Sequence, residues 1–241
     1  PVSAGPGPAV AAVAGQRSLA GLAAGETTIF AKGTSGRREI ALTFDAGAGR
    51  GNGPEMLDRL ADYGIRASFG VTGQWASANP DLVRRMVAEG HMIFNHTWSH
   101  QSWTGRSTAA DPAAATKWQP MSSADRISEL ERTEAAIQEI SGYNVRPYFR
   151  PAYGDYDAGV LADLAAAGYP AMVMWSCESY AWKGWSAEDI VAYCTTNMAD
   201  GDIILLHVGA QGADYDALPG LIEGLAAQGF AFVTVDEILQ P

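Results

Sequence analysis

Two histidines four residues apart, His96 and His100 in the segment NHTWSH, stand just after the apolar run HMIF. Neutral imidazole is a good ligand for zinc and its transition-series neighbours, and one turn of chain can bring both rings to one cation. A lone HxxxH is weak evidence. The chain holds only 4 histidines, however, and a third, His207, ends the run DIILLH. The fourth, His91, lies inside an apolar stretch and is expected to make a structural hydrogen bond. Other polar side chains gather the same way: Asp45 closes IALTF, Arg150 and Tyr153 lie in FRPAYG, and Glu178 and Trp182 lie in WSCESYAW.

The elements that must position them are legible as apolar runs at residues 40–44, 67–71, 91–94, 148–150, 171–175, 202–207 and 230–235. Their β-branched and aromatic content, without alternation, predicts strands buried on both faces of a parallel sheet. Helical patterns lie between them. Pro54 sits at a natural first helical position, Ser122 and Asp125 have capping-box spacing, and Leu218, Leu221, Ile222 and Leu225 form an i, i+3, i+4, i+7 stripe. Such strand–helix repeats predict an α/β barrel or a doubly wound sheet. In a parallel barrel every position after a strand opens on one face, where residues distant in sequence converge.

Composition bounds the rest. A chain of 241 residues, 47% of them hydrophobic, supports one large domain. The formal charge of -11, with only 16 Lys and Arg, argues against nucleic acid. No run approaches the roughly 18 apolar residues of a membrane span. Residues 1–25, nearly all small, are expected to form a mobile leader of the kind that follows a secretory cleavage site, so a secreted or cell-envelope protein is expected. Residues 26–241 form the domain. Cys177 and Cys194 are either one disulfide or two buried thiols. Trp103 and Trp118, on a long connection at 101–121, either stack on sugar rings or pin the loop. Gly47, Gly49, Gly51 and Gly53 fit neither phosphate-binding glycine pattern, and no G-x-S-x-G elbow is present.

From about Thr28 to Leu239 the chain resembles the polysaccharide deacetylase family, the NodB-homology domain of carbohydrate esterase family 4. Its Thr-Phe-Asp-Asp motif is matched by Thr43, Phe44 and Asp45 and broken at Ala46; its His-Ser/Thr-x-x-His motif is complete from His96 to His100. Arg150, Pro151, Tyr153 and Gly154 resemble the third motif. Glu178, Ser179 and Trp182 retain part of the fourth, with Ala181 where Asp is usual, and Leu205 and His207 supply Leu-x-His. The resemblance implies a distorted (β/α) barrel of about seven parallel strands and hydrolysis of acetyl groups on chitin, peptidoglycan or xylan.

Amide hydrolysis needs a Lewis acid, a base for water and an acid for the departing nitrogen. The resemblance assigns metal binding to His96 and His100, with zinc first and cobalt or nickel as alternatives. It makes Asp45 the base, His207 the acid and Arg150 the group that orients Asp45, and it implies glycan contacts from Tyr153, Trp182 and Leu205. A backbone N–H near Tyr153 joins the metal in stabilising the oxyanion. Ala46 cannot bind metal. A cation would then rest on two histidines with water or with a carboxylate from Glu178, Asp155 or Asp157; or Asp45 would move onto it; or the site would be empty, leaving a noncatalytic glycan-binding module. Glu178 is also the expected substitute for the carboxylate missing at Ala181. Oligomeric state is not legible.

Overall fold

The computed structural model describes residues 25–34, 36–47, 49–106, 118–209 and 212–240. In chain order the elements are β1 (Thr28–Phe30), β2 (Glu39–Ala46), α1 (Gly53–Asp62), β3 (Ser68–Val71), α2 (Gly73–Ala78), α3 (Pro80–Ala88), β4 (Met92–Asn95), α4 (Ser123–Ser141), β5 (Tyr148–Phe149), α5 (Ala158–Ala166), β6 (Ala171–Val173), β7 (Cys177–Glu178), α6 (Ala187–Thr195), β8 (Ile203–His207), α7 (Ala213–Ala227), β9 (Ala231–Phe232) and α8 (Val235–Ile238). All seven expected runs contain strands. The two additions, β1 and β7, are three and two residues long, too short to carry a periodic signal. Of the expected leader only Gly25 is described.

The sheet order is β1-β6-β5-β4-β3-β2-β8-β7, with β9 against the start of β2 and every strand pair parallel. It curls into the expected distorted (β/α) barrel, open between its edges β1 and β7. Along the central strands both faces are buried, while β1 and β9 are partly exposed, and the period of two divides the faces. On β2, Ile40, Leu42, Phe44 and Ala46 point outward into the main cluster beneath the helices, with Leu57, Leu60, Leu218 and Leu221. Ala41 points inward with Met92, Tyr148, Val173 and Ile203. Thr43 and Asp45 continue that inward row and replace hydrocarbon with polar chemistry near the strand's C-terminal end.

Local signals hold where they were read. Pro54 lies in the first turn of α1, Ser122 caps α4 by accepting the Asp125 N–H at 3.2 Å, and the α7 stripe is buried. His91 is structural: its Nδ1 accepts the Ala67 N–H at 3.0 Å. Trp103 pins its loop, fully buried and stacked on Phe149. Residues 107–117 of that connection lie outside the described residues. Among the described residues no helix is long and apolar enough to cross a membrane.

Cys177 and Cys194 form a disulfide that ties β7 to α6, both sulfurs being buried. The bridge closes a loop with a sequence separation of 17 and so restricts the unfolded chain. Replacing both cysteines by Ser is expected to lower stability by about 3 kcal/mol, read from urea unfolding of the oxidised protein beside the variant.

Candidate active site

Arg150 follows β5 and is fully buried, its guanidinium lying inside the barrel. All five of its N–H groups are engaged: Nε donates to Val173 O at 2.9 Å, one terminal nitrogen to Asp45 Oδ1 at 2.8 Å and Thr43 Oγ1 at 3.1 Å, the other to Thr43 Oγ1 and Met174 O at 3.1 Å each. The Thr43 hydroxyl in turn donates a hydrogen bond to Ile204 O at 2.8 Å. Burial alone would raise the Asp45 carboxyl, but Arg150, with His96 and His207, outweighs it and holds it below the usual carboxylate range. Gly70, level with Asp45 on β3, makes room: a Cβ there would lie 2.6 Å from Asp45 Oδ1. Arg150 therefore leans on Asp45, Thr43 and backbone carbonyls. Glu178, the expected substitute at Ala181, instead accepts the Trp182 indole N–H at 2.6 Å.

The second oxygen of Asp45, Oδ2, lies 3.4 Å from His96 Nε2. His96 Nδ1 is 2.9 Å from Arg150 O, so the Nδ1–H tautomer donates there and leaves Nε2 a bare lone pair. That Nε2 is buried with no hydrogen-bond partner. The His100 ring stands edge-on to His96 with centroids 5.0 Å apart, and Gly47 admits it, since a Cβ there would lie 2.8 Å from His100 Cδ2. Burial keeps both imidazoles neutral; it lowers His96 against the pull of Asp45 and, helped by His96, takes His100 down to about 3. Thr97 and His100 hold left-handed backbone, φ 71° and 58°, a strain of about 1–3 kcal/mol each that the surroundings must enforce.

His207 ends β8, in register with Asp45. Its N–H donates to buried Asp214 Oδ2 at 3.1 Å, and its Nδ1 is 3.5 Å from the same oxygen. Burial would lower its pKa, yet Asp214, Asp45 and Glu178 together raise it above the ordinary 6.5. Tyr153, in the short turn at 152–154, is exposed with φ 62°; its ring meets the His100 edge at 4.8 Å and stacks under exposed Trp118 at 5.4 Å. Trp182 is 56% exposed, whereas Leu205 is 2% exposed, level with Thr43 and one layer beneath His207. Two of the expected compensating carboxylates are committed elsewhere. Asp155 is fully buried and accepts from the Ser102 hydroxyl and from the Thr104 N–H and hydroxyl, and Asp157 caps α5 through Val160 N at 2.9 Å. Among the described residues no group of three His, Cys, Asp or Glu is placed to hold a metal ion. Two neutral imidazoles, one with an orphaned buried nitrogen, nevertheless fit a divalent cation as a two-histidine donor set.

Several supporting residues escaped the sequence reading. Thr43 entered only as part of a motif; Gly70 and Asp214 had no local signal, because their role depends on what another element brings to them.

The fold and these side chains define an α/β-barrel protein with a carboxylate–histidine site of the hydrolytic type at the C-terminal ends of its strands. Residues 32–172 match the polysaccharide deacetylase family. The chain is 31% identical to the peptidoglycan-N-acetylmuramic acid deacetylase PdaA of Bacillus subtilis over 87% of this chain and 74% of that one. A solved peptidoglycan N-acetylglucosamine deacetylase, Bc1960, superposes with a TM-score of 0.77 at 29% identity, covering 88% of this chain and 92% of that one. A family 4 pseudoenzyme from Bacillus anthracis shares the fold with a TM-score of 0.74 at 21% identity, covering 88% and 69%. The chain belongs to the polysaccharide deacetylase family, and the deacetylases it resembles are hydrolases acting on acetylated glycans.

Removing the guanidinium would leave Asp45 buried and unpaired. Arg150→Met is expected to cost about 3–5 kcal/mol at neutral pH, and adding Asp45→Asn to recover part of it, both read from urea unfolding. The sign with pH follows from the lowered Asp45 carboxyl: its contribution is present above the unfolded value of 3.8 and is lost as pH falls through the folded one.

Proposed function

We propose that this chain is a metal-dependent deacetylase of an N-acetylglucosamine-containing glycan, peptidoglycan or chitin, with O-deacetylation of xylan as a narrower alternative. The observation that carries the reading is the convergence of Asp45 Oδ2, the bare His96 Nε2 and a raised His207 at one end of the barrel. A divalent cation on His96 and His100, zinc foremost, would supply Lewis-acid polarisation of the acyl oxygen. Asp45 holds one oxygen on Arg150 and turns the other to the attacking water, whose proton it takes. The backbone N–H at Tyr153 faces the oxyanion as the water oxygen bonds to the acyl carbon. His207 then delivers its proton to the departing nitrogen, the C–N bond breaks, and acetate and a free amine result. Exposed Tyr153, Trp118 and Trp182 offer ring faces to sugars. The disulfide suits an oxidising compartment, so the protein is read as secreted or envelope-associated, one catalytic domain over residues 26–241 behind a leader.

A second reading, a noncatalytic glycan-binding module, is favoured by one observation: Ala46 is fully buried in the outer apolar cluster and offers no donor. Acetate release separates the two. Protein reconstituted with zinc, cobalt or nickel is expected to release acetate from one of acetylated peptidoglycan, chitooligosaccharide or xylan, and His96→Ala to lose both bound metal and turnover. Binding without release on all three would establish the module, and unchanged turnover in His96→Ala would remove His96 from the mechanism.

The acid role also fixes a pH dependence. Because His207 is raised above 6.5, kcat/KM is expected to fall on the alkaline side only above that value. Asp214→Asn removes one cause of the elevation and is expected to move that limb to lower pH. The linked stability has the same sense, present below the unfolded His value and lost as pH rises through the folded one.

A further inference from the structure

The five-residue loop that carries both candidate metal ligands has a complete account of its backbone N–H groups. His96 N donates to Val71 O at 3.2 Å, Thr97 N to Asn95 Oδ1 at 3.0 Å and His100 N to Thr97 Oγ1 at 3.0 Å. The remaining two, Trp98 N at 2.9 Å and Ser99 N at 2.8 Å, converge on a single oxygen, Glu129 Oε2, which also accepts the Ser99 hydroxyl at 3.0 Å. On the other side the loop carbonyls are taken by the start of α2, Gly73 N to Thr97 O at 3.0 Å and Gln74 N to Trp98 O at 3.1 Å. The loop is thus gripped between a helix that donates and a carboxylate that accepts.

Glu129 is out of place by the ordinary rules. It lies on α4, is only 6% exposed, and among the described residues no Lys or Arg pairs with it. An ionised carboxylate in such a position is tolerated only where hydrogen bonds replace its water, and here all three donors come from the histidine loop. Successive N–H groups turned toward one anion form a nest, a geometry that needs left-handed backbone nearby. Thr97 and His100, which bracket Trp98 and Ser99, supply it. The same helix holds the Trp98 ring, with Arg132 Cζ 4.1 Å from its centroid.

We infer that Glu129 is a positioning residue: its carboxylate locks the 96–100 loop in the left-handed form that sets the His96 and His100 rings edge to face, centroids 5.0 Å apart. The inference rests on the reading of those two histidines as cation ligands, and it touches neither glycan nor reacting atoms.

The test uses Glu129→Gln, which keeps an acceptor at the same reach without the charge, Glu129→Ala, and Glu131→Gln as a control of equal charge change on an exposed neighbour. Imidazole resonances of the metal-free proteins, assigned by NMR, are expected to shift for His96 and His100 in both Glu129 variants and to stay fixed in the control. Affinity for Co2+, followed by its visible absorption, is expected to weaken about tenfold in Glu129→Gln and further in Glu129→Ala, in line with a lost charge-assisted hydrogen bond. On an active protein kcat is expected to fall with KM nearly unchanged. Unshifted imidazole resonances in Glu129→Gln would overturn the inference, whatever the turnover. Global unfolding of that variant would overturn it too, by making Glu129 a determinant of the fold. If the unaltered protein released no acetate, the proposed function would fail while the resonance measurement still decided the role of Glu129.

Discussion

The site depends on one buried ion pair, Arg150 with Asp45. A guanidinium inside a barrel is stable only if every donor is met, and its five contacts come from two side chains on β2, Thr43 and Asp45, and the backbone carbonyls at the end of β6. The pair therefore ties together strands that are not neighbours in the sheet, since β4 and β3 lie between β5 and β2. It also fixes which Asp45 oxygen is spoken for. With Oδ1 on Arg150, Oδ2 is the oxygen that faces His96, so the ion pair that orients the carboxylate also decides which oxygen it presents there.

Around that pair the barrel is built in layers that the strand register dictates. Ala41 and Ile203 form an apolar layer; Thr43, Ser68, Met92 and Leu205 stand level above it; Asp45, Gly70 and His207 share the next. The absence of a side chain at Gly70 is a packing requirement of this arrangement, because Asp45 and the Phe94 ring occupy the space a methyl group would take. A polar layer set on a closed apolar floor keeps water beneath the carboxylate out of reach, and so preserves the strength of its contact with Arg150.

What was legible in the sequence followed local rules. The longer apolar strands, the Pro54 start of α1 and the α7 stripe need only neighbouring residues to be recognised, and they stand where the pattern put them, except that the run at 230–235 yields only the two-residue β9 and its Val235 opens α8. The two-residue β7 carries no period and became visible only as a partner of β8. The residues at the heart of the site were named because motif spacing carries them, but their supports were not. Asp155 illustrates the limit: in sequence it is a free carboxylate two residues from Tyr153, whereas in the fold Ser102 and Thr104 claim both of its oxygens. A donor's partner is a property of topology, and no spacing rule contains it.

Ala46 can be understood on the same terms. It sits in register with Val71 and packs into the outer cluster with no exposure, so the position is part of the hydrophobic core. A carboxylate there would be desolvated in any state lacking a cation, at a cost that a bound dication would have to offset. Alanine removes that cost and with it one anionic donor. The two changes pull in opposite directions: the metal-free fold is steadier, and a cation, on the proposed reading, would be held less tightly by two neutral imidazoles but would keep more of its charge. Since Asp45 and Arg150 already cancel each other, that charge would be the site's main uncompensated one.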